Sequence, residues 1–313
     1  MAFVGIDVGG TRIKLGLVKQ KKMVSSSVFE VKNNHSLEAN LPLIIEEIKA
    51  LSFAFDASEP IEGIGMALPC LIDHKKNKIL SDYVKYPDAK NMDLEAWFYP
   101  FYKVPFIIEN DARAALVGEI EGIEHGTKDA VLVTFGTGIG TAVLSNGAML
   151  RGFNQFAGNL GGHQTIDVFG DKCNCGDIGC SESLASGWAL HSILETEKSY
   201  EMSSLSKVKN PQMKDLFKAA AEGDTLAKSI YNRYLKAWSY TLKNLVYAYD
   251  PEYLILGGGV MTDGENLREY FQTFIDKANW LGHFTVKVVL AQNPDWAGVI
   301  GAAILAQEKE IAH

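Results

Sequence analysis

The chain has 313 residues, 47% of them hydrophobic and 22% charged, with a formal net charge of -8. That length supports two domains, or one large one, around a substantial buried core. The acidic balance argues against non-specific nucleic-acid binding, which needs clustered cations to displace counterions, though it leaves room for a local basic patch over a phosphate.

In chain order, residues 3–8 (FVGIDV) form an apolar strand that starts almost at once, with no charged and apolar leader before it. No run of 18 apolar residues follows anywhere, so neither a signal peptide nor a membrane span is expected, and a cytoplasmic protein is. IKLGLV at 13–18 and MVSSSVFEV at 23–31 read as further strands, separated by a polar turn at Lys19–Lys22. Apolar residues between 38 and 53 recur at helical spacing, and IEGIGMALP at 61–69 reads as a buried strand. The plan then recurs. Residues 130–152 are again strand, Gly/Thr-rich turn, strand, Asn146-Gly147 turn and strand. A helix-rich stretch runs from about Ser186 to Tyr249, a strand at 252–260 closes on three glycines, and a last helix covers roughly 297–309. Two copies of one supersecondary plan predict an α/β protein of two related lobes with a cleft between them. The crossing point is expected near 112–128. The domains are expected as a small lobe at 1–115, joined by the helix at about 297–313, and a large lobe at 116–296.

Three glycine clusters are candidate phosphate or nucleotide contacts. Asp7-Val8-Gly9-Gly10-Thr11 lies between two strands, where glycines let backbone N–H groups approach a phosphate and Thr11 adds a hydroxyl. Asp7 is a candidate holder of Mg²⁺, directly or through water. Arg12 and Lys14 are weaker candidates, read first as hairpin surface charges. Gly136-Thr137-Gly138 repeats the arrangement, and Gly257-Gly258-Gly259 follows an apolar strand. The alternative for each is a tight turn with structural glycines. Neither a Walker A loop nor a Rossmann fingerprint fits the spacing.

Ile107-Ile108-Glu109-Asn110-Asp111 ends a strand in a polar cluster before a helical pattern. Asp111 is the candidate general base for transfer to an alcohol, with Asn110 as a partner for substrate hydroxyls. Either residue also suits a helix N-cap. Cys173, Cys175 and Cys180 lie within eight residues, and His163 stands ten residues upstream. Four soft ligands suit structural zinc in a reducing compartment; free thiols or a catalytic zinc are the alternatives. Such a metal would pin the loop carrying His163 and Glu182.

D-V-G-G-T at 7–11, E-N-D-A-R-A-A at 109–115, F-G-T-G-I-G at 135–140, the G-H…C-x-C-G-x-x-G-C-x-E pattern over 162–182, and the segments at 250–260 and 297–303 resemble the repressor, open reading frame, kinase (ROK) family nearly end to end. The resemblance implies two RNase H-like lobes of the actin/hexokinase type that close on sugar and ATP. It implies Asp111 as base on the sugar 6-hydroxyl, with Asn110, Asp111, His163 and Glu182 as sugar contacts. It implies zinc on His163, Cys173, Cys175 and Cys180, magnesium with ATP, and a homodimer. Two departures stand out. The family's Glu-x-Gly-His pattern is replaced by Gly158-Asn159-Leu160-Gly161-Gly162-His163, and an expected Pro-Gly is Pro69-Cys70. The first puts glucose preference in question and makes an N-acetylated sugar or an unusual hexose more plausible. The second is read as packing or an altered turn.

The expected function is therefore ATP-dependent phosphorylation of a hexose or N-acetylhexosamine, without nucleic-acid or membrane partners. The alternative is a catalytically silent sugar sensor. A DNA-binding repressor is not expected, because Asp7 lies too near the start for a preceding DNA reader.

Overall fold

A computed structural model describes residues 1–32, 36–56, 59–123, 126–261 and 264–311; residues 124 and 125 of the expected crossing stretch and residues 312 and 313 of the expected last helix lie outside them. The elements run β1 (Ala2–Val8), β2 (Arg12–Lys19), β3 (Lys22–Glu30), α1 (Leu41–Asp56), β4 (Ile61–Leu68), β5 (Ile72–Asp73), β6 (Lys78–Ile79), α2 (Leu94–Phe98), β7 (Phe106–Asn110) and α3 (Asp111–Ile120). They continue with β8 (Ala130–Phe135), β9 (Ile139–Ser145), β10 (Ala148–Met149), α4 (Ser181–Ala185), α5 (Ala189–Thr196), α6 (Met213–Ala221), α7 (Thr225–Tyr249), β11 (Tyr253–Gly257), α8 (Glu265–Ala278), β12 (Lys287–Leu290) and α9 (Ala297–Ile311).

The chain divides into two units, one of residues 1–127, 149–157 and 292–313, the other of residues 128–148 and 158–291. The expected divide after residue 115 falls inside α3, whereas all of α3 belongs to the first unit, where it packs along α9.

The first unit holds a sheet ordered β3-β2-β1-β4-β7. β1, β2 and β3 pair antiparallel, and β4 and β7 add in parallel. β1 and β4 are buried almost throughout, as continuous apolar runs require, while edge strand β3 alternates exposed and half-buried positions. The β2–β3 turn places Gln20 and Lys21 at φ 49° and 61°, and the β9–β10 turn places Asn146 and Gly147 at 51° and 76°. Both suit the right-handed twist of a hairpin, but only the second carries the Asn-Gly pair that announces it. Helix α9 lies against the sheet at backbone distance. A Cβ on Gly5 would stand 1.8 Å from the Val299 carbonyl oxygen, and one on Gly65 would stand 1.9 Å from that of Ala302. Side chains at those strand positions would push the helix off.

The second unit repeats the plan, with order β10-β9-β8-β11-β12. β8 and β9 pair antiparallel, and β8, β11 and β12 pair in parallel. This shared order makes both units RNase H-like lobes of the actin and hexokinase type. Helix α7 is capped by the Asp224 carboxylate, which accepts from Ala227 N–H, and ends in left-handed Asp250. Its buried face carries Trp238, whose ring meets Phe135, Phe217 and Tyr234 and whose Nε1 donates to the Ala185 carbonyl at 2.7 Å. Among the described residues no helix is long and apolar enough to cross a membrane.

Candidate active site and metal centre

In the first unit, the turn after β1 is closed by Gly9 N–H donating to the Arg12 carbonyl at 3.0 Å. The Tyr86 hydroxyl donates to the Gly9 carbonyl at 2.9 Å, and the Lys85 side chain covers Gly10. Asp7, Gly9, Thr11, Arg12 and Lys14 line a depression of about 680 Å³. Burial raises the Asp7 carboxyl above its usual range, and the Lys14 charge offsets this in part. Lys14 is already engaged, its Nζ donating to the Asp295 carbonyl at 2.6 Å, whereas Arg12 is exposed.

Asp111 opens α3 directly after β7. The cap expectation is met by Asn110, whose side-chain oxygen accepts from Arg113 N–H at 3.2 Å. The same amide donates from Nδ2 to Asp111 Oδ1 at 3.0 Å and to the Cys70 carbonyl at 3.2 Å. Capping and site-building are thus one arrangement: the cap fixes the amide that steadies the acid. Burial, and then the negative charge of Asp7, push the Asp111 carboxyl up to about 7, against the stabilising Ala112 N–H and Asn110 amide. Cys70 is packed into the core, and burial with the charges of Asp111 and Asp82 pushes its thiol up to about 12. Packing is its role, with its carbonyl as the hydrogen-bond acceptor for Asn110.

Behind Asp111 lies a buried charge cluster that sequence reasoning missed. Glu109, 1% exposed, accepts from Asn110 N–H and meets Arg151 Nη1 at 2.6 Å, His74 Nδ1 at 3.5 Å and Arg113 Nη1 at 3.8 Å. Arg113, fully buried, also donates to the Leu150 and Ala157 carbonyls. Only the unbroken E-N-D-A-R run hinted at it; Arg151 lies too far along the chain to be paired by spacing.

In the second unit, Gly136, Thr137 and Gly259 line a pocket of about 1340 Å³, together with Trp188, Phe217 and Tyr231. Its wall mixes these rings and aliphatic groups with polar side chains, among them Lys214, Lys218, Lys228 and Asn232, so apolar surface and cations face the same space. The other glycines serve the turn. Gly257 ends β11, and Gly258, at φ +88°, would place a Cβ 2.3 Å from the Phe135 carbonyl oxygen. Gly138 faces Glu182 rather than the pocket. Glu182 sits in α4 with both oxygens engaged, Oε2 accepting from Ile139 N–H at 2.8 Å and Oε1 from Trp188 Nε1–H at 3.0 Å.

His163, Cys173, Cys175 and Cys180 converge, their ligand atoms all within 4.8 Å of one another. Cys173 Sγ lies 3.6 Å from His163 Nδ1, and Cys175 Sγ lies 3.6 Å from Cys180 Sγ. Tetrahedral zinc with these ligands has donor–donor edges of about 3.5–3.8 Å, so the set fits the ion. The sulfurs stand too far apart for a disulfide. The turn is tight: Cys173 N–H donates to the Asp177 carbonyl at 2.7 Å, and Gly179, at φ +65°, abuts the Asp167 carbonyl oxygen. The segment before His163 has no acid. Asn159 is buried and donates to the Thr141 carbonyl at 2.8 Å, and Leu160, three residues before His163, is 37% exposed.

The ROK family model matches residues 3–309. The chain belongs to the ROK family. This ROK chain is 30% identical to a glucokinase of Thermotoga maritima, over 99% of its own length and 98% of that protein. Its fold matches a ROK hexokinase from Thermus thermophilus at a TM-score of 0.82, with 27% identity and full coverage of both chains. It matches a ROK glucokinase from Streptomyces griseus, solved with glucose and AMPPNP, at 0.77, with 26% identity over 98% of this chain and 100% of that one.

Proposed function

We propose that this chain transfers the γ-phosphoryl group of ATP to the 6-hydroxyl of a hexose or an N-acetylhexosamine, with Asp111 as the general base. That it is an ATP-dependent sugar kinase follows from its family and its kinase relatives. The observation that carries the finer reading is the Asp111 carboxyl, raised to about 7 and held by Asn110 at the start of α3. A base of that strength accepts a hydroxyl proton near neutral pH as the oxygen attacks phosphorus.

The remaining roles follow from the residues. Backbone N–H groups of Gly9, Gly10 and Thr11, and of Gly136, Thr137 and Gly138, would meet the phosphates. Asp7 would hold the Mg²⁺ that accompanies ATP, an ion that neutralises phosphate charge when bound. Gly257, Gly258 and Gly259 would shape the adenosine side. His163, Cys173, Cys175 and Cys180 would hold zinc, which supplies structural pinning. With Nδ1 turned to the thiolates, His163 keeps Nε2 for a sugar hydroxyl. Asn110 and Glu182 complete the sugar contacts. Leu160, where the family pattern has glutamate, withdraws one carboxylate acceptor. That supports a substrate whose acetamido group, or altered hydroxyl, does not need it.

The test is ADP release from Mg²⁺-ATP with glucose, mannose, fructose, allose, N-acetylglucosamine and N-acetylmannosamine, with Asp111→Ala in parallel. A sugar-dependent signal lost in the variant supports the reading. A signal that survives Asp111→Ala removes Asp111 as base.

A further inference from the structure

The second unit's pocket has a wall made of two chain segments, and one carboxylate fastens them. Gly136 and Thr137 come from the turn between β8 and β9, and Gly187 and Trp188 come from the link between α4 and α5. Two backbone bonds join the segments, Gly187 N–H to the Gly136 carbonyl and Trp188 N–H to the Thr137 carbonyl, each at 2.9 Å. Glu182 adds the side-chain clamp, accepting from Ile139 N–H at the end of the turn and from the Trp188 indole on the pocket wall. A Cβ at Gly138 would stand 2.7 Å from Glu182 Oε2, so the turn leaves room for the carboxylate.

We infer that Glu182 is a positioning residue for the nucleotide: it sets the phosphate turn 136–139 and the Trp188 ring in the geometry that receives ATP, beyond any contact it makes with sugar. The inference rests on reading this pocket as the nucleotide site. An ionised carboxylate is suited to the task because it has acceptors on both oxygens and no donor. An amide cannot replace it, since its NH₂ would face either the Ile139 N–H or the Trp188 indole N–H, donor against donor.

The experiment is calorimetric titration of AMPPNP into zinc-replete wild type, Glu182→Gln, Gly138→Ala and Trp188→Phe, each checked by circular dichroism and zinc content. Glu182→Gln is expected to weaken AMPPNP binding about tenfold, the size of one charge-assisted hydrogen bond turned into a donor clash. Gly138→Ala, which displaces the carboxylate, is expected to do the same. Trp188→Phe, which removes one donor and keeps an aromatic ring, is expected to lose about threefold. In turnover, KM for ATP rises in Glu182→Gln beside whatever change its proposed sugar contact brings to KM for the sugar. Wild-type AMPPNP affinity in a folded Glu182→Gln overturns the inference, as does a rise confined to the sugar's KM. Should Glu182→Gln not fold, an unchanged affinity in Trp188→Phe and Gly138→Ala overturns it equally. Wild type that binds AMPPNP but releases no ADP with any sugar breaks the kinase reading alone. Wild type that does not bind AMPPNP breaks both.

Discussion

The two units carry the same strand order and the same glycine turn after the first strand, yet they are furnished for different chemistry. The unit of the first turn, at Gly9–Thr11, also carries two recessed acids, Asp7 and Asp111, each raised by burial, with the charge of Asp7 adding to the rise at Asp111. The turn of the second, at Gly136–Gly138, borders a wide pocket of mixed aromatic and polar lining and is fastened by Glu182 to the helix that follows the cysteine cluster. A shared frame fixes where a turn emerges from a sheet. The side chains that reach the turn from elsewhere in the unit decide what surrounds it, recessed acids in one unit and a wide pocket in the other.

The sharpest way to break that comparison is to silence the acid. Asp111→Asn keeps the shape of the carboxyl and removes its basicity, and kcat should fall by roughly 10²–10⁴-fold. AMPPNP affinity should stay as in wild type; calorimetry beside turnover separates the two. Removing the metal tests the other side. A strong chelator, or Cys175→Ser, should lower the thermal midpoint by several degrees, since structural zinc contributes folding energy outright. Calorimetric traces with and without Zn²⁺ provide the check, and an unchanged midpoint would remove the structural role.

The pH dependence sharpens the acid pair. With Asp111 near 7, kcat/KM should climb as pH rises from 6 to 8 and level off above, a limb absent from any residual activity of Asp111→Asn. Stability should run the opposite way. A carboxyl whose folded pKa lies above its unfolded value favours the fold while protonated and loses that contribution as pH rises through about 7. Thermal melts should therefore show wild type falling below Asp111→Asn at pH 8, with the gap closing towards pH 4. The smallest effect is expected at Arg12, exposed at the edge of the first depression. Arg12→Ala should change KM for ATP less than threefold, and a larger change would promote it to a phosphate contact.

Much of this was legible from residues alone because the signals are local. Apolar runs ending in glycine, the Asn146-Gly147 pair and three cysteines in eight residues each announce an element or a ligand set over a short span. The strands expected at 3–8, 13–18 and 61–69 match β1, β2 and β4 to within a residue or two, and the expected third strand of the second copy shrinks to Ala148–Met149.

Residue order alone was enough for the fold class, the glycine turns, the acid at the β7–α3 junction and the His/Cys cluster, because each rests on backbone preference or on groups close along the chain. It took the packed chain to show that Arg151 pairs with Glu109, that α9 lies against Gly5 and Gly65, and that the two oxygens of Glu182 each accept a donor, from Ile139 and from Trp188. Those partners stand between six and about 300 residues apart, at separations no periodicity encodes. What joins them is burial: a charged or polar group removed from water takes whichever partner the packed chain brings within reach.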